Sequence, residues 1–180
     1  MRINIMVIPF WEDDPLKNTA LKMVRKNLAR IIKPREIRGK PIILNPFSTS
    51  YLGPWDRVYV ENSGIIVVDA SWRKLSSHKF TNIRGVHVKI PPLLPANPIN
   101  YGKPCILSSI EAVAASLYIT GFREEYEKVI KLYKWLTVFH ELNNELLREY
   151  STVKSYEDLL NIINEYWEID PCGEIDISEK

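Results

Sequence analysis

Apolar and polar positions divide the chain into a strand-rich first half and a helix-rich second half. Residues 3–9 form a short apolar run closed by Pro9, which predicts a strand and a turn. Asp13-Asp14-Pro15 then reads as a helix start, an acid cap with Pro in the first turn. Leu21, Val24, Leu28 and Ile31 recur at helical spacing, so one helix is expected until Pro34 stops it. Residues 41–45 and 86–90 predict further strands, and 56–62 a short helix. Residues 65–69, four β-branched residues and an Asp, read as a strand buried on both faces, as in a parallel sheet covered by helices.

Beyond residue 90 the pattern changes. Residues 91–104 contain five prolines, which exclude helix and central strand, and a loop of this length in a compact chain is usually functional. Ser108-Ser109-Ile110-Glu111 is a capping box that opens a slim helix carrying Ala112, Ala114 and Ala115 and ending at Gly121. Helices over 124–135, 137–149 and 156–167 follow, then an acidic tail from Ile169.

The 180 residues, 46% apolar and 26% charged, are enough to bury a core without staples. No apolar run is long enough to span a membrane, and the N-terminus has no leader-like apolar stretch, so a cytoplasmic globular protein is expected. Cys105 and Cys172 are too few for a disulfide framework, and with no His or Lys beside them they read as ordinary residues. The net charge of +2 hides an asymmetry. Residues 14–40 hold nine Lys or Arg against two acids, and residues 155–180 one Lys against eight acids. These are either two solvated faces or a basic surface for a polyanion and an acidic tail pointing elsewhere.

Several chemistries have no motif. There is no Walker loop and no G-x-G-x-x-G; with only 7 Gly, any ligand must be held by other backbone. His140-Glu141-Leu142-Asn143-Asn144 lacks the last zincin ligand, no nucleophile elbow is present, and His78, His87 and His140 form no local cluster. No metal is expected. What remains is Asp69, at the carboxyl end of an apolar strand where α/β proteins bind ligands, or else capping a turn. Trp72, three residues on, either lines a pocket or sits in the core. Thr19 could meet a ligand or bond its own backbone, and Glu111 is explained by the capping box. Lys17, Lys22, Arg25, Lys26, Arg30 and Arg57 are suited to gripping phosphates without reading sequence.

Taken together, these stretches resemble one family. They are Asp14-Pro15-x-x-x-Thr19, Val67-Val68-Asp69-x-Ser71-Trp72, Ala96-Asn97-Pro98-Ile99-Asn100-Tyr101-Gly102, Leu107-Ser108-x-x-Glu111-Ala112, Tyr118-Ile119-x-Gly121 and Leu142-Asn143-x-x-Leu146-Leu147-x-x-Tyr150. In this order they are similar to the small-subunit ribosomal RNA aminocarboxypropyltransferases of archaea and eukaryotes, over roughly residues 5–168. The chain departs from that pattern at Asn18 and Ala20, where the family usually has Cys and Gly, and at Ala70, Pro95 and Leu136.

The resemblance implies an α/β fold in two parts. Residues 1–90 would form an N-terminal α/β domain with the basic helix. Residues 91–180 would form a helical, SPOUT-like part with a trefoil knot that completes the cofactor site. It implies S-adenosylmethionine as the substrate, held by backbone of three loops. Leu44, Pro46, Leu107 and Ala112 would wall the adenine pocket, with Leu93 among the cofactor-contacting residues. Backbone of Ile90 and Cys105 would read the adenine edge, and Val68 would meet the ribose. Thr19, Asp69, Trp72 and Ser109 would surround the methionine end, with Asp69 as the catalytic candidate. Small-subunit rRNA or a pre-ribosomal particle would be the partner, and the acceptor a hypermodified uridine such as 1-methylpseudouridine. A SPOUT-like RNA methyltransferase and a non-catalytic assembly factor are the competing expectations.

Overall fold

A computed structural model describes residues 2–173. Five strands, β1 (Ile5–Pro9), β2 (Ala29–Ile31), β3 (Ile42–Leu44), β4 (Ile65–Asp69) and β5 (Val86–Val88), form one parallel sheet in the order β2-β1-β4-β3-β5. Six helices accompany it: α1 (Thr19–Arg25), α2 (Arg57–Ser63), α3 (Ser109–Ile119), α4 (Arg123–Ile130), α5 (Trp135–Thr152) and α6 (Tyr156–Tyr166).

Strand residues alternate between two cores, as pleating requires. Ile5, Val7, Ile42, Leu44, Ile65, Val67 and Val88 join the larger core, with residues from α1 to α6. Met6, Ile8, Ile43, Ile66 and Val68 face a smaller core with Ile32, Ile37, Phe80 and Ile83. The sheet is therefore buried on both faces, as the β-branched run predicts. Helices cover only one face; the other is closed by 3₁₀ turns at Pro34–Glu36 and Ser77–Phe80 and their flanking chain. Gly64 leads into β4 with a positive φ of 91°, and its bare Cα abuts the Asn4 carbonyl, so any side chain there would push β1 and β4 apart.

The basic helix is shorter than its spacing predicts. Asp14 makes only a turn, its carboxylate accepting from the Leu16 amide at 3.0 Å. Asn18 is the true cap, accepting from Leu21 N–H at 2.9 Å. Asn27 then takes a positive φ of 57° and ends the helical turn, and Ala29–Ile31 becomes an edge strand beside β1. Leu28 and Ile31 continue a helical period by coincidence, because strand pairing wins locally. Helix 124–135 is likewise broken into α4 and the start of α5, while the capping box of α3 forms as predicted. Part of the acidic tail, 174–180, lies outside the described residues. Among the described residues no helix is long and apolar enough to cross a membrane.

Candidate functional site

Connections leaving β1 and β4 run to opposite sides of the sheet, the place where parallel sheets open a crevice at their carboxyl ends. Here Pro9 pairs with Asp69, and the Phe10 amide donates to the Asp69 carbonyl at 2.9 Å. A cavity of about 940 Å³ opens at this edge. That is enough for a nucleoside-sized ligand with room beside it.

The cavity gathers residues from distant parts of the chain. Thr19, Leu44, Pro46, Val68, Asp69, Trp72, Ile90, Cys105, Leu107, Ser109 and Ala112 all line it. Leu93 does not: it is fully buried, and its carbonyl accepts from the Cys105 amide at 3.0 Å. Its contribution is to hold the loop after β5 against the loop before α3. Trp72 makes a second tie, its indole N–H donating to the Leu107 carbonyl at 3.0 Å. Thr19 makes a third, accepting from Ile110 N–H at 3.3 Å. Three loops and two helix ends are thus fastened around one space.

Glu111 does more than cap α3. It is fully buried, and its carboxylate accepts from the backbone amides of Ala96, Asn97 and Ser108, and from the Asn97 and Ser108 side chains, at 2.7–3.0 Å. Asn143, also fully buried, accepts from Leu94 N–H and donates to Leu94 C=O, both at 2.8 Å, and the Tyr150 hydroxyl donates to the Pro92 carbonyl. The proline-rich segment is fixed by these three side chains, not by secondary structure.

Asp69 is 7% exposed. Burial raises its pKa above the ordinary carboxylate value, the negative field of Asp13 and Glu12 adds to this, and a hydrogen bond from Asn18 opposes it. Asn18, with no assigned role in the sequence beyond departing from the family pattern, donates its amide N–H to Asp69 Oδ2 at 2.6 Å. Lys89 carries no motif in the sequence either. It is 8% exposed, it lines the cavity, and its ammonium donates to the Cys172 carbonyl at 2.8 Å and lies 4.5 Å over the Tyr51 ring. Burial pushes its pKa down.

The cysteines are not ordinary residues: Cys105 and Cys172 form a disulfide, and both border the cavity. The Tyr51 hydroxyl donates to Asp170, so the segment around 170–172 is strapped at three points, two of them, Lys89 and Cys105, on the cavity wall. No local sequence signal pairs residues 67 positions apart. Among the described residues no group of three His, Cys, Asp or Glu side chains is placed to hold a metal.

The basic residues separate. Lys17 lines the cavity, and Lys22 lies 5.5 Å over the ring of Tyr133, another lining residue. Arg25 donates to the Pro15 carbonyl, and Lys26 caps α1. Arg30 sits on β2 and bonds Asn4. Arg57 donates to the Thr120 carbonyl at 2.9 Å and packs 4.2 Å over Phe122, which ties α2 to the end of α3. The predicted basic face is therefore spread over a helix, an edge strand and an interhelical tie.

Residues 42–167 match the family described as Ribosome biogenesis protein, C-terminal. A protein of Vulcanisaeta distributa named 16S rRNA aminocarboxypropyltransferase is 43% identical over 155 residues, which is 83% of this chain and 82% of its own. One of the same name from Methanobrevibacter smithii is 38% identical over 159 residues, 87% of this chain and 93% of its own. The solved structure of the SAM-dependent rRNA:acp-transferase from Vulcanisaeta distributa superposes with a TM-score of 0.86 at 38% identity, over 96% of this chain and 93% of that one.

Proposed function

This chain belongs to the family of ribosome biogenesis proteins that includes the 16S rRNA aminocarboxypropyltransferases, and from that membership we propose that it transfers the 3-amino-3-carboxypropyl group of S-adenosylmethionine to a uridine of small-subunit rRNA. The observation that carries this reading is the convergence of Thr19, Asp69, Trp72 and Ser109 on one cavity with the loops around Ile90 and Cys105. The cavity suits the ligand chemically. It has apolar walls from Leu44, Pro46, Leu107 and Ala112 for an adenine, a carboxylate for an ammonium group, and the N-terminus of α3 for a carboxylate.

In the reaction the sulfonium–methylene bond breaks and a bond forms between that methylene and a ring nitrogen of the uridine. The sulfur leaves as the neutral thioether of methylthioadenosine, and the proton of the nitrogen passes to solvent water. We propose 1-methylpseudouridine as the acceptor, whose remaining imide nitrogen lies between two carbonyls and is weakly acidic. Asp69 has one oxygen committed to Asn18, and its other oxygen is assigned to the amino group of the transferred arm. Trp72, anchored to Leu107, covers the methyl side and leaves the arm facing the acceptor. Most of the acceleration then comes from positioning, worth roughly 7–11 kcal/mol in well-oriented systems.

Residues 1–90 and 91–180 are proposed as two parts of one site, the second threaded as a trefoil knot; the ties among the three loops support the shared site. Small-subunit rRNA in cytoplasmic pre-ribosomal particles is the proposed partner. The decisive experiment supplies S-adenosylmethionine labelled in the carboxyl carbon or in the methyl group, with small-subunit rRNA. Carboxyl label alone in the RNA is expected. Methyl label alone would reassign the protein as a methyltransferase, and neither label, on rRNA bearing the preceding modification, would leave an assembly factor.

A further inference from the structure

Trp11 stands out close in the chain to the cavity lining, which begins at Asp13. It is 62% exposed and adopts a φ of 56°, in the left-handed region that a bulky residue rarely enters. Its neighbours explain how the conformation is held. The Phe10 amide is bonded to the Asp69 carbonyl, and Lys79 pairs with Glu12 while its ammonium sits 4.4 Å over the Phe10 ring. With residues on both sides pinned, the indole is turned outward. Exposure of a large ring and a strained backbone both work against folding, and such features persist where a ligand uses them.

The place is informative. Trp11 lies two residues beyond Pro9, the register partner of Asp69, and two before Asp13, which lines the cavity. A second exposed ring, Tyr101 at 59%, lies between the lining residues Asn100 and Lys103. Its loop is also held, by Gly102 N–H to the Pro95 carbonyl and Asn100 N–H to Asn97 Oδ1. The mouth further exposes Leu16 and Ile99, each 82% accessible, and the cations Lys17, Arg73 and Lys103 beside the acids Asp13 and Asp14.

We propose that Trp11 is a stacking platform for an unpaired rRNA base next to the acceptor nucleotide, with Tyr101 as a second one. Unstacked bases offer flat π faces that aromatic side chains take up, and the cations lining the cavity suit the phosphates joining them. An apolar protein surface would use Leu16 and Ile99 but leave those cations without counterparts, and a lipid surface would leave the two held rings without flat partners. The identity of the partner rests on the proposed function; the platform itself is tested by affinity, without turnover.

The test compares the full-length chain with its W11A, W11F and Y101A variants, binding an rRNA hairpin that carries the acceptor uridine over a range of salt. Trp11→Ala is expected to weaken RNA binding about tenfold or more, the usual loss of one stacked base. Trp11→Phe should recover most of it. The slope of affinity against salt should not change, because no phosphate contact is lost. Unchanged S-adenosylmethionine affinity and an undiminished melting midpoint exclude a folding defect. Unaltered RNA affinity in W11A, a changed salt slope, or a loss seen only on protein-bearing ribosomal particles would overturn the proposal. Wild-type protein that binds the hairpin through Trp11 yet transfers no carboxyl label would overturn the proposed reaction and leave the platform standing.

Discussion

Asn18 and Asp69, 51 positions apart, are joined by a buried hydrogen bond of 2.6 Å from the Asn18 amide to Asp69 Oδ2. Asn18 has no freedom to turn away. Its own oxygen accepts from Leu21 N–H at 2.9 Å as the cap of α1, so its NH₂ is aimed at the carboxylate. One residue thus starts a helix and orients the acid that closes β4.

The pair sets a pH dependence. Burial moves Asp69 above its ordinary pKa of 3.8, and the Asn18 donor limits that rise. If ionised Asp69 holds the amino group of S-adenosylmethionine, affinity is full above the raised pKa and falls as pH drops through it. Asn18→Ala removes the donor that opposes the rise, so the acid limb should move to higher pH. Asp69→Asn should abolish the limb. Calorimetric titration across pH checks this, and a limb that stays in place in Asn18→Ala would refute the coupling.

Glu111 is the hub of the proline-rich segment. Glu111→Ala leaves the amides of Ala96 and Asn97 without their acceptor, inside the protein. The expected cost is about 3 kcal/mol, a melting midpoint lower by roughly 6–12 °C for a chain of this size. Because Asn97 borders the cavity, S-adenosylmethionine affinity should fall as well. Scanning calorimetry with and without ligand measures both.

What the sequence made legible was what neighbouring residues determine. The β-branched run of β4, the capping box of α3 and the glycine stop at Gly121 each carry their own local physics. Leu28 and Ile31 misled because an edge strand of three residues can mimic one more helical turn, and only pairing with β1 decides. Asn18 was invisible as a partner of Asp69 because a hydrogen bond across 51 residues leaves no periodicity. The lining of the cavity was legible through motif resemblance, since its loops lie too far apart in the chain for spacing to relate them. Leu93, on the same loop as Ile90, turns its side chain to the core, and no spacing in the sequence marks which of the two faces the cavity.

Trp72 should contribute by area and by anchoring. Trp72→Ala is expected to weaken S-adenosylmethionine binding about tenfold or more, as loss of a large apolar contact implies. Trp72→Phe keeps a ring but loses the bond to the Leu107 carbonyl, and a several-fold loss should result, since such a bond contributes about 1 kcal/mol. Equal affinity in wild type and Trp72→Ala would remove Trp72 from the pocket.

Charge on α1 and charge at Arg57 should behave differently. Lys22→Glu and Arg25→Glu, on the exposed side of α1, should each weaken rRNA binding and lower the salt slope by about one. Arg57→Glu should instead destabilise the fold, because it breaks the tie to Thr120 and Phe122, with the slope unchanged. Binding isotherms over a salt series, paired with melting curves, separate the two cases. A lowered slope in Arg57→Glu would return that residue to the RNA surface.

The disulfide makes stability and ligand binding respond together to reductant. It closes a loop of 67 residues between the wall of the cavity and the chain end. Restricting the unfolded chain over such a loop is worth about 4 kcal/mol in the chain-entropy account. Reduction also frees the strap whose carbonyl at Cys172 holds the buried ammonium of Lys89, and a buried cation without that acceptor is costly. Cys172→Ser, or wild type in excess dithiol, should therefore melt about 10 °C lower. S-adenosylmethionine affinity should fall several-fold, because Cys105, Cys172 and Lys89 all border its cavity. The two effects must arrive together: a lowered midpoint with intact affinity would make the disulfide a staple for the fold alone. An unchanged midpoint in reductant would mean that the strap is held by Lys89 and Tyr51 without the covalent bond.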